Sequence, residues 1–164
     1  MHSDIWGPVR TPSKGGAQYF ISFIDDYSKK FWIYFLKNKS KAFAKFNIWK
    51  AKVKNQTRKK IKCLRTDNNT KYKDGDFSKF CKEYGIKRHF TLRKTLKQNE
   101  VVDRLNMTII ETARYLRLNI ELLKIFWVEA VDMACYIINR SPRVALNGKV
   151  IDEVWTGQEV DYLS

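Results

Sequence analysis

Two six-residue runs, Tyr19-Phe20-Ile21-Ser22-Phe23-Ile24 and Phe31-Trp32-Ile33-Tyr34-Phe35-Leu36, constrain this chain more than any other feature. Both are rich in β-branched and aromatic side chains, which suit a pleated surface, so each predicts a strand. The polar connector Asp25-Asp26-Tyr27-Ser28-Lys29-Lys30 is short enough to join them as an antiparallel hairpin. Adjacent residues on a strand point to opposite faces, so Asp25 and Asp26 cannot line one site and read as hairpin residues.

Alternating elements follow. Ser40 is a candidate N-cap for a helix carrying Phe43, Phe46, Trp49 and Val53 on one side and lysines on the other. Ile61–Arg65 predicts a short strand ending in the turn Thr66-Asp67-Asn68-Asn69. Phe77, Phe80, Cys81 and Tyr84 repeat at helical spacing, with Gly85 as the C-cap, and Ile86–Phe90 is a weaker strand. Two long helices close the chain, from about Gln98 to Leu118 and from about Leu122 to Asn139, the second stopped by Pro142. Phe126, Trp127, Ala130, Met133 and Ile137 read as its core side, and Trp6, Tyr27 and Tyr72 as sheet packing. The pattern predicts an α/β architecture, with helices packed on a sheet. The three glycine-containing stretches, at Gly15-Gly16, Gly75 and Gly148, read as ordinary loops without phosphate-loop spacing.

Composition narrows the function. At 164 residues, with 44% hydrophobic and 14% aromatic residues, the chain can build one core, and intrinsic disorder is excluded. It lacks a signal peptide or an apolar run of membrane-spanning length, so a nuclear or cytoplasmic location is expected. Cys63, Cys81 and Cys135 form no CxxC pair, and His2 and His89 lie far apart, which argues against a zinc site or a disulfide framework. His2 reads as a strand-end surface residue.

Lys and Arg number 32 against 17 Asp and Glu, a net charge of +15. No acid occurs from Tyr27 to Thr66, a stretch that holds Lys50, Lys52, Lys54, Arg58, Lys59 and Lys60. A second basic group, including Arg93, Lys94 and Lys97, precedes Glu100. Such one-signed fields attract polyanions, nucleic acid above all.

For chemistry, the remaining candidates are carboxylates: Asp4 in an extended stretch, Asp67 just past a strand, and Asp103 in the first turns of a helix, beside the Val102/Leu105/Ile109 stripe. Carboxylates on separate elements can converge on divalent cations, which prefer oxygen ligands, and with a basic surface they suit phosphoryl transfer on nucleic acid.

Several blocks, in their order and spacing, carry a resemblance. They are His2-Ser3-Asp4-Ile5-Trp6-Gly7-Pro8, Phe23-Ile24-Asp25-Asp26-Tyr27-Ser28-Lys29-Lys30, Leu64-Arg65-Thr66-Asp67-Asn68, Gln98-Asn99, Arg104-Leu105-Asn106, Phe126-Trp127-Val128-Glu129-Ala130 and Ile138-Asn139-Arg140-Ser141-Pro142, with the tail Glu153-Val154-Trp155-Thr156-Gly157. The chain resembles the integrase catalytic core of copia-type LTR retrotransposon Pol polyproteins, in the retroviral integrase superfamily. The resemblance implies an RNase H-like fold, a five-stranded mixed sheet with helices on both faces, over a single core-like domain at 1–164. The amino-terminal zinc module and the downstream Pol domains are expected to be absent, as in a truncated and partly decayed copy.

It further implies a DDE triad, carried onto Asp4, Asp67 and Asp103, holding two Mg²⁺ or Mn²⁺ ions for 3′-end processing and strand transfer. DNA is the implied partner, as element ends and target, with a homo-oligomer as an option and no membrane or small-molecule substrate. Lys50, Lys52, Lys54, Arg58, Lys59, Lys60, Arg93, Lys94, Lys97, Gln98, Asn99 and Arg104 are the expected nucleic-acid contacts. The chain departs from the family at Asp103, where the family has Glu; at Glu100, where it has Gly; and at Asn69-Thr70-Lys71, where it has Gly-Gly-Glu. The family's proline before Gln98-Asn99 is also missing. A ligand one methylene short predicts an impaired enzyme. The alternatives are a non-catalytic nucleic-acid-binding remnant of Pol and, less well matched, a cellular RNase H-like nuclease.

Overall fold

The computed structural model describes residues 1–58, 60–67, 75–91 and 96–162, with backbone alone for residues 67, 76, 91 and 96–103. In chain order the elements are β1 (His2–Trp6), β2 (Tyr19–Ile24), β3 (Phe31–Leu36), α1 (Ala42–Thr57), β4 (Cys63–Asp67), α2 (Gly75–Glu83), β5 (Lys87–Thr91), α3 (Leu96–Asn119), α4 (Trp127–Asn139) and α5 (Ile151–Thr156). The strands form one five-stranded sheet in the order β3-β2-β1-β4-β5. β1 is central. It pairs antiparallel with β2 and parallel with β4, while β2–β3 is antiparallel and β4–β5 parallel. The sheet is mixed, as the resemblance implies.

Side-chain alternation sends successive residues to opposite faces of the sheet. One face packs Ile21, Phe23, Trp32, Leu36 and Leu64 against α1 (Ala42, Phe46, Trp49, Val53) and α2 (Phe77, Cys81). The other packs Phe20, Ile24 and Phe31 against α3 (Ile109, Ala113), α4 (Ala130, Val131, Ala134, Cys135, Ile138) and Ile151 of α5. Helices therefore cover both faces. Gly7 turns the chain off β1 at φ +120, where an added Cβ would lie 2.6 Å from the Gln18 carbonyl oxygen. Among the described residues no helix is long and apolar enough to cross a membrane.

The hairpin strands have the limits expected of them, and its turn is held by Asp25, whose Oδ2 accepts from the Ser28 amide at 2.8 Å and hydroxyl at 2.9 Å. Elsewhere the structure corrects the expectations. Ser40 is not a cap: it lies inside a 3-10 turn, Lys39–Lys41, that leads into α1. β4 starts and ends two residues later than expected, because its limits follow its parallel partner, Cys63 beside Lys87 through Asp67 beside Thr91. Gly75 opens α2 rather than lying in a loop. α4 begins at Trp127 after a 3-10 turn, Lys124–Phe126. Its buried side is Ala130, Val131, Ala134, Cys135 and Ile138; Met133 and Ile137 face solvent, since small residues let α4 close on the sheet and α3. Tyr27 is exposed on the hairpin turn, whereas Trp6 does pack, stacked on Phe20 at 5.2 Å. Tyr72 lies outside the described residues.

Candidate active site

Asp4 is the third residue of the central strand. Its neighbour Ile5 packs toward α1 and Trp6 toward α4, so alternation puts Asp4 on the α3/α4 face. The half-buried carboxylate is held at both oxygens. Oδ1 accepts from the Ile5 amide at 2.8 Å, and Oδ2 accepts from Nδ2 of Asn106, on α3, at 3.0 Å. Ser22, the cross-strand partner of Asp4, donates its hydroxyl to the Asp4 main-chain oxygen at 3.4 Å.

Asp67 ends β4, rather than following it as the sequence suggested. The parallel register pairs His2 with Arg65 and Ser3 with Thr66, so Asp4 and Asp67 are the next residues along the two paired strands. Asp103 belongs to α3, three residues before Asn106, the spacing that shares one side of a helix. Thus the chain's three candidate carboxylate positions fall on the central strand, the end of its parallel neighbour, and the helix tied to that strand by Asn106. The side chains of Asp67 and Asp103 lie outside the described residues; among those described, no three His, Cys, Asp or Glu side chains form a metal cluster.

Asn106 is the site residue that sequence reasoning missed. It stood in a quoted block without a role, because nothing in composition or spacing marks an asparagine that faces a strand. It is 4% exposed, and while its Nδ2 donates to Asp4, its Oδ1 is buried without a hydrogen-bond partner among the described residues. A buried amide oxygen beside a carboxylate is an unmet acceptor, suited to a proton donor or a cation.

Below Asp4 on the same strand, His2 is buried, not a surface residue. Its Nε2 lies 2.5 Å from Oδ1 of Asp26, and Nη1 of Arg65 is 3.6 Å from Oδ2 of Asp26. Burial disfavours the charged form of Asp26, but hydrogen bonds from His2 and the Met1 amine, with their positive charge, outweigh it and hold the carboxyl well below its usual range. Asp26 is therefore an ion-pair centre rather than only a turn residue.

The expected nucleic-acid contacts do not form one surface with Asp4. Lys50, Lys52 and Lys54 belong to α1, and Arg58 is its left-handed C-cap, at φ 54. All stand on the other side of the sheet. Lys50 is partly withdrawn from solvent, with Nζ 3.2 Å from the Tyr84 ring centroid and 4.2 Å from that of Phe80. Burial, then the charge of Lys54, lowers its pKa. Lys60 is exposed just before β4. Arg104 is exposed on α3, next to Asp103, and Lys97, Gln98 and Asn99 lie in the first turn of that helix, described by backbone alone. Lys59, Arg93 and Lys94, with the Asn69-Thr70-Lys71 segment, fall outside the described residues.

A five-stranded mixed sheet of this order, with helices on both faces and carboxylate positions on the central strand, its parallel neighbour and an overlying helix, defines the RNase H-like class. Its structural relatives are retroviral integrases. The simian T-cell lymphotropic virus intasome in complex with PP2A regulatory subunit B56 gamma is similar over 99% of this chain and 55% of that one, with a TM-score of 0.75 and 16% identity. The HTLV-2 integrase catalytic core domain in complex with magnesium, in trimeric form, is similar over 93% of both chains, with a TM-score of 0.66 and 17% identity.

Residues 1–94 match the integrase core domain family, and the chain belongs to it. It is 43% identical over 162 residues to the retrovirus-related Pol polyprotein from transposon TNT 1-94 of Nicotiana tabacum, covering 99% of this chain and 12% of that polyprotein. It is 28% identical over 141 residues to the truncated transposon Ty1-A Gag-Pol polyprotein of Saccharomyces cerevisiae, again 12% of the relative's length. This is an integrase core of the retrotransposon and retroviral Pol type, a family of DNA integration. The chain spans about an eighth of the length of these curated relatives.

Proposed function

We propose that the chain carries out divalent-cation-dependent phosphoryl transfer on DNA, processing 3′ ends and joining them to a target, with activity lowered at the third carboxylate position. The observation that carries this is the Asp4–Asn106 hydrogen bond, which fixes the helix of Asp103 against β1, the parallel neighbour of the strand that Asp67 ends. Asp4, Asp67 and Asp103 would hold the cations; the hard, anionic oxygens of Asp4 and the buried Oδ1 of Asn106, without a partner among the described residues, fit that role. When bound, Mg²⁺ or Mn²⁺ supplies charge neutralisation at the phosphate and a more acidic attacking hydroxyl.

The chain's own groups do the positioning. The Ile5 amide and Asn106 hold the two Asp4 oxygens in one orientation, and the half-buried setting shields the carboxylate from bulk water. Arg104, exposed beside Asp103, and the first turn of α3 with Lys97, Gln98 and Asn99 are where a DNA end would meet the protein. Element ends and target DNA are the substrates, a homo-oligomer the working form, and the nucleus or cytoplasm the location.

The departure at Asp103 supplies the test. The double change Asp103→Glu with Glu100→Gly restores the family pattern at both positions. Nicking or strand transfer on a terminal duplex with Mg²⁺ or Mn²⁺ should rise at least about tenfold over the parent, and the gain should vanish with Asp67→Asn. A parent already as active as the double variant removes the impairment reading. If both are folded and inactive, the chain is the non-catalytic nucleic-acid-binding remnant instead.

A further inference from the structure

A cleft of about 250 Å³ opens between the C-terminal ends of α1 and α2, on the far side of the sheet from Asp4. Its apolar floor includes Ile61 and Ile86, which precede β4 and β5, so it lies where the parallel strands begin, whereas Asp67 lies where β4 ends. At about 3.3 Å per residue, β4 alone separates the two by roughly 13 Å. The cleft and the candidate active site share neither face nor end.

Its rim is cationic and aromatic. Lys50, Lys54 and Lys60 converge on it, against the single acid Glu83. Lys50 and Lys54 are one helical turn apart and oppose each other's charge, as the lowered pKa of Lys50 reflects after its burial. Like charges gathered around a hollow favour an anion that neutralises them together. Tyr84, the last member of the helically spaced repeat from Phe77, is 55% exposed here, stacked on Phe80 at 4.4 Å and steadied by the Lys50 ammonium. An exposed ring held in place beside lysines is the pairing by which proteins seat single strands, phosphates on the cations and a base on the ring.

We infer that the α1/α2 cleft is a second nucleic-acid site, separate from the carboxylate face, that seats a strand with unpaired bases. A duplex keeps its bases stacked inward, so it can use the lysines but not Tyr84. One molecule can then hold two nucleic-acid segments on opposite sides of its sheet.

The test is anisotropy titration of the full chain with a labelled oligothymidylate and, separately, a blunt duplex, each over a range of salt. Tyr84→Ala should weaken single-strand binding at least about fivefold and leave duplex binding within about twofold. Lys54→Glu with Lys60→Glu should weaken both at least about tenfold and lower the single-strand salt slope by roughly 1.4, about 0.7 for each lost phosphate contact. Lys124→Glu, on the other side of the sheet, should change single-strand binding little. A bromodeoxyuridine-substituted strand should photocrosslink to the peptide containing Tyr84. Variants that melt like the parent yet bind oligothymidylate as it does overturn the inference, as does crosslinking confined to α3. Equal losses for both probes with Tyr84→Ala overturn the base seat. None of these readouts depends on divalent cations or turnover, so they stand apart from the outcome of the strand-transfer assay.

Discussion

On the α1/α2 face the sheet is covered by rings. Trp49 stacks on Phe23 at 4.2 Å, meets Trp32 edge-on at 5.8 Å and touches Phe46, and Phe46 continues the contact to Phe77. On the α3/α4 face the helices contribute small and aliphatic side chains, Ile109, Ala113, Ala130, Val131 and Ala134, against Phe20 and Phe31 of the sheet, and buried polar groups lie among them: Asn106 against Asp4, Asn139 against the Phe31 backbone, and Asp152 between Lys30 and Arg140. The first face gains from area and ring geometry, which tolerate small shifts. The second depends on hydrogen bonds that fail abruptly when one partner goes. A site that must fix carboxylates belongs on the second.

The largest expected effect breaks the ring face. Trp49→Ala should cost about 4 kcal/mol, read as a fall in the urea midpoint at unchanged slope. Trp49→Phe should cost under about 1.5 kcal/mol, because the ring stack survives and the indole Nε1, buried without a partner among the described residues, is removed. A similar loss in both would mean that shape rather than area governs this face.

Next comes the polar face. The Asn139 amide accepts from the Phe31 N–H at 3.0 Å and donates to the Phe31 carbonyl at 2.8 Å, both buried. Asn139→Ala should cost about 2 kcal/mol in the same urea titration, and Asn139→Leu no less, since neither satisfies the strand.

A smaller stability effect is expected at Asn106. Asn106→Ala should cost about 1 kcal/mol, since it removes one hydrogen bond to a half-buried carboxylate together with an unmet acceptor. On the proposed function Mn²⁺ should raise the parent's melting temperature, and that rise should shrink in this variant, which differential scanning fluorimetry can read. An unchanged upshift would show that Asn106 only packs.

The smallest is pH-dependent. The folded Asp26 carboxyl lies below its unfolded value of 3.8, so its stabilisation is complete above that value and fades as pH falls toward the folded one. The melting difference between parent and Asp26→Asn should be widest near neutrality and narrow steadily below about pH 4. A constant difference would mean that the pairing of Asp26 with His2 and the Met1 amine adds nothing.

What the sequence disclosed depended on where the deciding force acts. The hairpin was legible because its apolar runs are local and buried along most of their length, and the matching blocks picked out Asp4 in an extended stretch and Asp67 beside a strand end. The start of β4 was misread because Ile61 is apolar yet lines a cleft, and only the partner strand fixes where pairing begins. In α4 the chain has apolar residues on more than one side, so periodicity alone could not tell that Ala130 and Ala134 face inward and Met133 outward. Asn106 was invisible for a related reason, since its partner lies 102 residues away on another element. Tyr84 belongs to an apolar repeat whose last member falls beyond the end of α2, where the core no longer reaches.

The amide of Asn139 has one more consequence, for how copies of this chain meet. β3 is an outer strand of the sheet, and such edges invite a neighbouring molecule to add a strand and start a fibre. At Phe31 both outward backbone groups are already taken by a side chain from α4, which imitates the next strand for one residue and then stops. An incoming strand would have to displace that amide before it could align, so growth by sheet extension is blocked at the first rung of this edge.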